Sequence, residues 1–366
     1  LRLRQQYFLV SASLQDVLRD WRQRHGDDYA GLADKLCVQL NDTHPALAVP
    51  ELMRILMDHC YLGWEEAWSI TSRTMAYTNH TLLPEALEEW PVAMFESLLP
   101  RLLQIIYEID ARFVAEINSK WPGDVARVER MSLISPGPDR MVRMAYLSIV
   151  GSFSVNGVAK LHSELLQKGL FRDFAELWPE RFNNKTNGVT PRRWLAACNP
   201  RLASLISEKI GTGWTTDLPQ LEGLASLAED PDFQQRWRQV RAANKLQLAR
   251  FIEARTGVSI SPAMLYDVQV KRIHEYKRQL LNLLHAVYLF DRNQRGYTDA
   301  LLPRAIIIGG KAAPGYVMAK NIIKAINCVA NTVNNDRRLQ DKLRLVFLPD
   351  YNVSAMEVIC TAADLS

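Results

Sequence analysis

The chain contains no apolar run approaching the roughly 18 residues that a membrane-spanning helix needs, and its opening residues Leu1 to Tyr7 hold no secretory h-region. Cysteine is sparse: five residues, Cys37, Cys60, Cys198, Cys328 and Cys360, odd in number, scattered, and without a C-x-x-C pair. This excludes a disulfide framework and a cysteine zinc site, and a reduced, cytoplasmic setting is the expectation. The seven histidines form no H-E-x-x-H, and there is no G-x-S-x-G, so neither a zincin nor a nucleophile-elbow hydrolase is expected, and no metal. Charge of one sign is also lacking. The 44 basic and 40 acidic residues leave a net +4 and are interspersed, which argues against a nucleic-acid-binding face. There is no fixed-period repeat and no low-complexity tract.

What is present is ordinary globular composition, 48% hydrophobic over 366 residues, enough for about two domains. Leu14, Val17, Leu18 and Trp21 recur at helical spacing, with Ser13 a candidate N-cap. A short strand is expected at Cys37 to Leu40. Helices are expected at Pro50 to His59, Trp64 to Tyr77 and Pro91 to Trp121, the last broken near Pro100. The turn-rich stretch Asn183 to Thr190, with Asn187-Gly188, marks a domain boundary, giving units of 1–184 and 185–366. Beyond it, Leu265 to Val270, Ala305 to Ile308 and Leu343 to Leu348 read as strands. The strand–loop–helix grammar is that of an α/β protein with a parallel sheet, whose ligands sit beyond the carboxyl ends of the strands.

Chemistry is therefore sought at those ends. Lys271, Arg272, His274, Tyr276, Lys277 and Arg278 follow the strand at Leu265 to Val270. Cations in the first turns of a helix oppose its dipole unless an anion is bound. If Ile273, Lys277, Leu280, Leu281 and Leu284 share a helical face, Lys277 lies at the edge of a buried stripe and wants an anionic partner. The alternative is a solvated basic turn whose stems cover apolar surface. Thr190-Pro191-Arg192-Arg193-Trp194, with Thr190 as N-cap, suggests a second wall of the same anion site. Ile308 to Tyr316 contains Gly309-Gly310-Lys311 and reads as a loop that lets backbone approach a ligand, or simply as a tight turn. In the first half, Asn41-Asp42-Thr43-His44 and Thr78-Asn79-His80-Thr81 are short polar loops. They offer the neutral donors and acceptors that sugar hydroxyls need, or, more plainly, a helix cap at Asp42 and Thr43.

These same segments, Gln39-Leu-Asn-Asp-Thr-His-Pro45, Ala76-Tyr-Thr-Asn-His-Thr81, Asn184-Lys-Thr-Asn-Gly-Val-Thr-Pro-Arg-Arg-Trp194, Val270-Lys-Arg-Ile-His-Glu-Tyr-Lys277 and Gly309-Gly-Lys-Ala-Ala-Pro-Gly-Tyr316, resemble the α-1,4-glucan phosphorylase family. The resemblance runs over essentially the whole chain. It implies two Rossmann-like domains of GT-B type, a glucan-binding one to residue 184 and a cofactor-binding one from 185, only part of each present. It also implies reversible phosphorolysis of α-1,4-glucan to glucose 1-phosphate with retention, pyridoxal phosphate as cofactor, and a homodimer. By motif it assigns Arg272 and Lys277 to the substrate phosphate, and His80 and Asn187 to glucose hydroxyls. Tyr276 would lie beside the sugar and Asp42 and His44 near it, with Lys271 on the cofactor phosphate and Trp194 and Tyr351 around the cofactor. The family's cofactor lysine sits in a Gly-Thr-Gly-Asn-Met-Lys-type motif that does not occur in these residues, so the chain reads as an inactive piece of a longer enzyme.

Phe153, which replaces a histidine of the animal enzymes, and Asp20, which replaces an arginine after Arg19, are similar to the bacterial maltodextrin branch. Asn352 and Cys360-Thr361 also depart from the animal pattern, beside the expected cofactor contacts. The alternatives are a nucleotide-sugar glycosyltransferase of related fold and a non-catalytic glucan-binding remnant.

Overall fold

The computed structural model describes residues 1–296, 302–339 and 341–366. The chain divides into two compact units, Leu1–Gly188 and Val189–Ser366. Both are α/β with parallel sheets.

In the first unit four strands, β1 (Val38–Asn41), β2 (Met75–Thr78), β5 (Ser154–Gly157) and β6 (Phe182–Asn184), pair in parallel in the order β1-β2-β5-β6. A separate antiparallel ribbon joins β3 (Glu89–Pro91) to β4 (Met141–Arg143). Helices Ala48–Asp58, Pro100–Lys120 and Met144–Val150 bring Leu52, Leu56, Ile106, Phe113 and Leu147 into one core with Leu40, Tyr77 and Val155 of the sheet. The expected break at Pro100 is present: one helix ends at Leu98 and the next begins at Pro100, where a missing N–H costs nothing.

The second unit holds β7 (Leu265–Val270), β8 (Arg304–Gly309) and β9 (Leu343–Leu348), parallel and in that order. Alternate residues of these strands supply two different cores. Tyr266, Val268, Ala305, Ile307, Val346 and Leu348 face helices Pro231–Thr256 and Val353–Ala362. Ile306, Ile308, Leu343 and Leu345 face Gln279–Gln294 and Val317–Asn335. A strand covered on both faces is apolar at most positions, which is why these segments were legible as strands; the buried exception, Asp267, is satisfied by Arg304 at 3.1 Å. Helix Pro231–Thr256 carries a full set of boundary signals. Asp230 accepts from the N–H groups of Asp232 and Phe233, Pro231 opens the helix, and Gly257 closes it at φ 72.

Three local expectations are corrected. Ser13 caps nothing: the first helix runs Arg2–His25 and the Ser13 hydroxyl donates back to the Leu9 carbonyl, 2.7 Å away. The segment Trp64 to Tyr77 is helix only to Thr74, then turns into β2, a strand too short to betray its period. The helix after β7 starts at Gln279, behind Arg278 at φ 61, so Ile273 and Lys277 share no helical phase with it. Leu280, Leu281 and Leu284 are accordingly exposed, and Gln279, Leu283, Ala286 and Asn293 are the buried positions among its described residues. Among the described residues no helix is long and apolar enough to cross a membrane, and no cluster of metal-ligating side chains occurs.

Two tests follow from the first unit. Glu51 is fully buried, held by a two-pronged contact with Arg54 (2.8 and 2.9 Å) and by the Ser11 hydroxyl at 2.6 Å. Arg54→Ala leaves that carboxylate without its counter-ion and should lower unfolding free energy by about 3–5 kcal/mol, with much of the loss recovered when Glu51→Met is added; urea titration measures both. At the end of β5, a Cβ on Gly157 would lie 2.8 Å from His162 Nδ1, which accepts the Val158 N–H at 3.0 Å. Burial holds the His162 imidazole below its ordinary 6.5. The unfolded chain therefore takes up the proton first as pH falls through 6.5, and stability declines from there until the folded imidazole also titrates. His162→Gln should flatten that part of the melting temperature against pH curve.

Candidate functional site

In the first unit the polar loops converge on the carboxyl end of one sheet. Asp42 follows β1 in the left-handed region at φ 64, its N–H donating to the Thr78 carbonyl and its carboxylate accepting from the Thr43 N–H at 2.7 Å. Beyond β2, buried Asn79 donates to the Tyr77 hydroxyl and accepts the Thr81 N–H, which fixes the turn bearing His80. His80 is exposed, its Nε2 2.6 Å from Asn41 Oδ1. Asn187 follows β6, its N–H bonded to the Val158 carbonyl beyond β5 at 2.9 Å. Asp42, His80 and Asn187 thus stand at the ends of β1, β2 and β6 of the same sheet, the position where open parallel sheets bind ligands. His44 is drawn aside: its Nδ1 lies 3.0 Å from Arg2 Nη2 and 3.9 Å from Glu88.

His162 belongs with this group and was not foreseen. With Nδ1 accepting from Val158, its Nε2 is buried without a hydrogen-bond partner among the described residues, and Thr81 and His80 are its neighbours. A lone histidine on a helix carries no spacing signal; only the glycine that makes room for it, Gly157, hints at the contact.

In the second unit the basic segment is a loop, with a single helical turn at Glu275–Lys277. Two buried or half-buried amides grip it. Gln269, at the end of β7, donates to the Lys277 carbonyl at 2.9 Å, and Gln279 donates to the Arg272 carbonyl at 3.1 Å. The Gly309 to Lys311 loop lies against the same stretch: Lys271 N–H donates to the Gly309 carbonyl, and Ile273 N–H to that of Lys311. A Cβ on Gly310 would come within 2.3 Å of the Lys271 carbonyl oxygen, so this glycine is a true close approach. Tyr316 donates to Glu275 at 2.6 Å, and its ring stands 5.0 Å from that of His274.

The charges at this end of the sheet are uneven. Lys311 pairs with Asp350 at 2.9 Å, and that lysine holds the Asp350 carboxyl below the usual range. Lys271, Arg272 and Lys277 make no ion pair among the described residues; Lys277 merely stands 5.5 Å from the Tyr276 ring centre. Lys271, Arg272 and Tyr276 are exposed and Lys277 half-buried. The three cations lie in one loop at the end of β7, and no ion pair among the described residues neutralises them, a composition that suits an anion. The second wall expected from Arg192 and Arg193 does not hold: Arg193 is paired with Glu357 at 2.8 Å and Arg192 donates to the Thr215 carbonyl. Nor does Thr190 cap with its side chain; only its carbonyl accepts, from Trp194.

Trp194 lines a largely apolar cavity of about 530 Å³ with Trp237, Leu202, Met356, Cys360 and Thr361. Arg241 is the one cation in that lining, and no lysine takes part. Lys271 and Tyr351 are not among the lining residues; Tyr351 packs against the core that contains Ile359, and burial raises its phenol.

The family model described as "Phosphorylase: Carbohydrate phosphorylase" matches residues 1–366. Glycogen phosphorylase, brain form, from Bos taurus is 52% identical over 373 aligned positions, which take in all of this chain and 44% of that protein. The muscle forms from Mus musculus and Homo sapiens are 52% and 51% identical with the same coverage. The chain spans less than half the length of these curated relatives. Matched along its full length by the family model, the chain belongs to the carbohydrate phosphorylase family.

Proposed function

We propose that the protein of which these residues form part is an α-1,4-glucan phosphorylase, transferring the terminal glucose of a glucan to inorganic phosphate and releasing glucose 1-phosphate with retention. The observation that carries this reading is the trio Lys271, Arg272 and Lys277 at the carboxyl end of β7, without an ion pair among the described residues. Cleaving a glycosidic bond with phosphate requires that a dianion be held against the sugar while positive charge develops on its ring. Arg272 and Lys277 supply the hold, and the dianion they orient stabilises the developing oxocarbenium ion. His80 and Asn187 bind hydroxyls of the transferred glucose, Tyr276 lies against the sugar, and Asp42 and His44 complete its polar surroundings.

The residues present suit pyridoxal phosphate in part. Lys271, exposed and unpaired, can neutralise its phosphate, and Trp194 with the apolar cavity offers a wall for its ring, with Tyr351 nearby in sequence to Met356. No lysine lines that cavity for a Schiff base. When bound, the cofactor supplies a phosphate group that exchanges a proton with the substrate phosphate. What this chain contributes is placement: Lys271 would hold the cofactor phosphate and its sequence neighbour Arg272 the substrate phosphate.

The finer reading extends to architecture and branch. The two units are parts of the two Rossmann-like domains of a GT-B enzyme, glucan-binding to residue 184 and cofactor-binding from 185, in a protein that works as a cytoplasmic homodimer. Phe153 and Asp20 favour an unregulated bacterial enzyme acting on maltodextrin.

The test is phosphate-dependent release of glucose 1-phosphate from maltoheptaose by the full gene product with pyridoxal phosphate added. Arg272→Ala should lower kcat/KM about 10²–10³-fold, the scale of losing one charged donor to a transition state. Wild-type protein that is folded and cofactor-loaded yet releases no glucose 1-phosphate, or that needs a nucleotide sugar as donor, would sink the proposal.

A further inference from the structure

We infer that Gln279 is a positioning residue for the phosphate site, acting through the backbone on Arg272; the inference rests on the reading of Arg272 as a phosphate ligand. Gln279 is fully buried at the start of helix Gln279–Gln294, an unusual place for an amide unless both of its ends are bonded. They are. Its Nε2 donates to the Arg272 carbonyl at 3.1 Å, and its Oε1 accepts the His274 N–H at 3.3 Å. One side chain therefore fixes the peptide groups on both sides of Ile273, whose own side chain is buried beneath the loop. At the far end Gln269 holds the Lys277 carbonyl at 2.9 Å and is itself held by Asn282 at 3.0 Å. The two amides pin the loop at the candidate phosphate ligands themselves, through the Arg272 and Lys277 carbonyls.

The hydrogen-bond inventory of the loop shows what this pinning presents. Lys271 N–H bonds to Gly309, Ile273 to Lys311, His274 to Gln279, Glu275 to the Tyr316 hydroxyl, Tyr276 to His274 Nδ1, Lys277 to the His274 carbonyl and Arg278 to the Glu275 carbonyl. Among the described residues only the N–H of Arg272 has no partner in this stretch. Arg272 thus offers a backbone donor as well as its guanidinium, and its peptide plane on the carbonyl side is set by Gln279. A short anion such as phosphate could take both donors. Losing that anchor would free the Arg272 Cα, and with it the guanidinium, to shift against the N–H held in the preceding peptide, while a long glucan would be indifferent to the shift.

The experiment uses the full, cofactor-loaded gene product and compares Gln279→Met with wild type. Methionine keeps the length of the side chain and removes both polar ends. KM for phosphate should rise about tenfold, the worth of one misaligned charged contact, with KM for maltoheptaose unchanged. A merely structural role would lower the melting temperature and leave KM for phosphate where it was, and that result overturns the inference. Gln279→Glu guards against a variant that does not fold. As a carboxylate it still accepts from His274 but cannot donate to the Arg272 carbonyl, so it should also raise KM for phosphate, and a normal value in folded protein overturns the inference. Arg272→Ala separates the two levels. If it is inactive while both Gln279 variants behave as wild type, only the role of Gln279 fails; if it keeps wild-type activity, the phosphate reading itself fails.

Discussion

Parallel strands covered by helices on both faces leave one place for polar chemistry, the loops past their carboxyl ends. Every position of β8 from Ala305 to Gly309 is buried, so a charged or hydrogen-bonding side chain within the strand would pay desolvation without reaching a ligand. The constraint explains why the residues of interest in the second unit begin one position beyond β7, at Lys271. It explains equally why Asp42, His80 and Asn187 follow their strands in the first unit.

Given that placement, the question at each strand end is whether the polar groups are already satisfied. Most are. Lys311, past β8, has Asp350, past β9, and charges elsewhere are matched too: Arg193 has Glu357, and Asp110, within the helix Pro100–Lys120, accepts from the Leu133 N–H and the Ser132 hydroxyl, though burial still raises its carboxyl. Against this background of matched charge, Lys271, Arg272 and Lys277 are conspicuous because the backbone around them is held by hydrogen bonds at every N–H but that of Arg272, while their side chains form no ion pair among the described residues. A merely solvated basic turn would not need so rigid a frame. The frame costs conformational entropy that a surface loop ordinarily keeps.

Much of the fold was legible because its signals are local. The β7 and β9 segments announce themselves as mostly apolar, β-branched or aromatic runs of strand length, interrupted only by Asp267 and Gln269 in β7 and Arg344 in β9, and the helix from Pro100 to Lys120 by its proline start and 3.6-residue pattern. Failures came where a single residue changes the register of everything after it. Arg278 in the left-handed region resets the helical phase, and no arginine advertises that conformation. Ser13 illustrates the opposite ambiguity, since a serine hydroxyl serves a helix cap or a mid-helix carbonyl equally well. The motifs located the candidate site by residue, yet Gln269, Gln279 and His162 were invisible, because a supporting side chain is defined by what folds onto it and not by its neighbours in sequence.

The missing side chain of Gly310 has a dynamic corollary. With Lys271 and Ile273 hydrogen-bonded to Gly309 and Lys311, and with no space for even a methyl group between the strands of the crossing, the loop after β7 and the loop after β8 form a single plate. Neither can fluctuate alone without breaking both bonds. An anion that settles on Arg272 therefore also quiets Lys311 and the chain leading to Tyr316, and the entropy of ordering is lost once for two loops instead of separately for each.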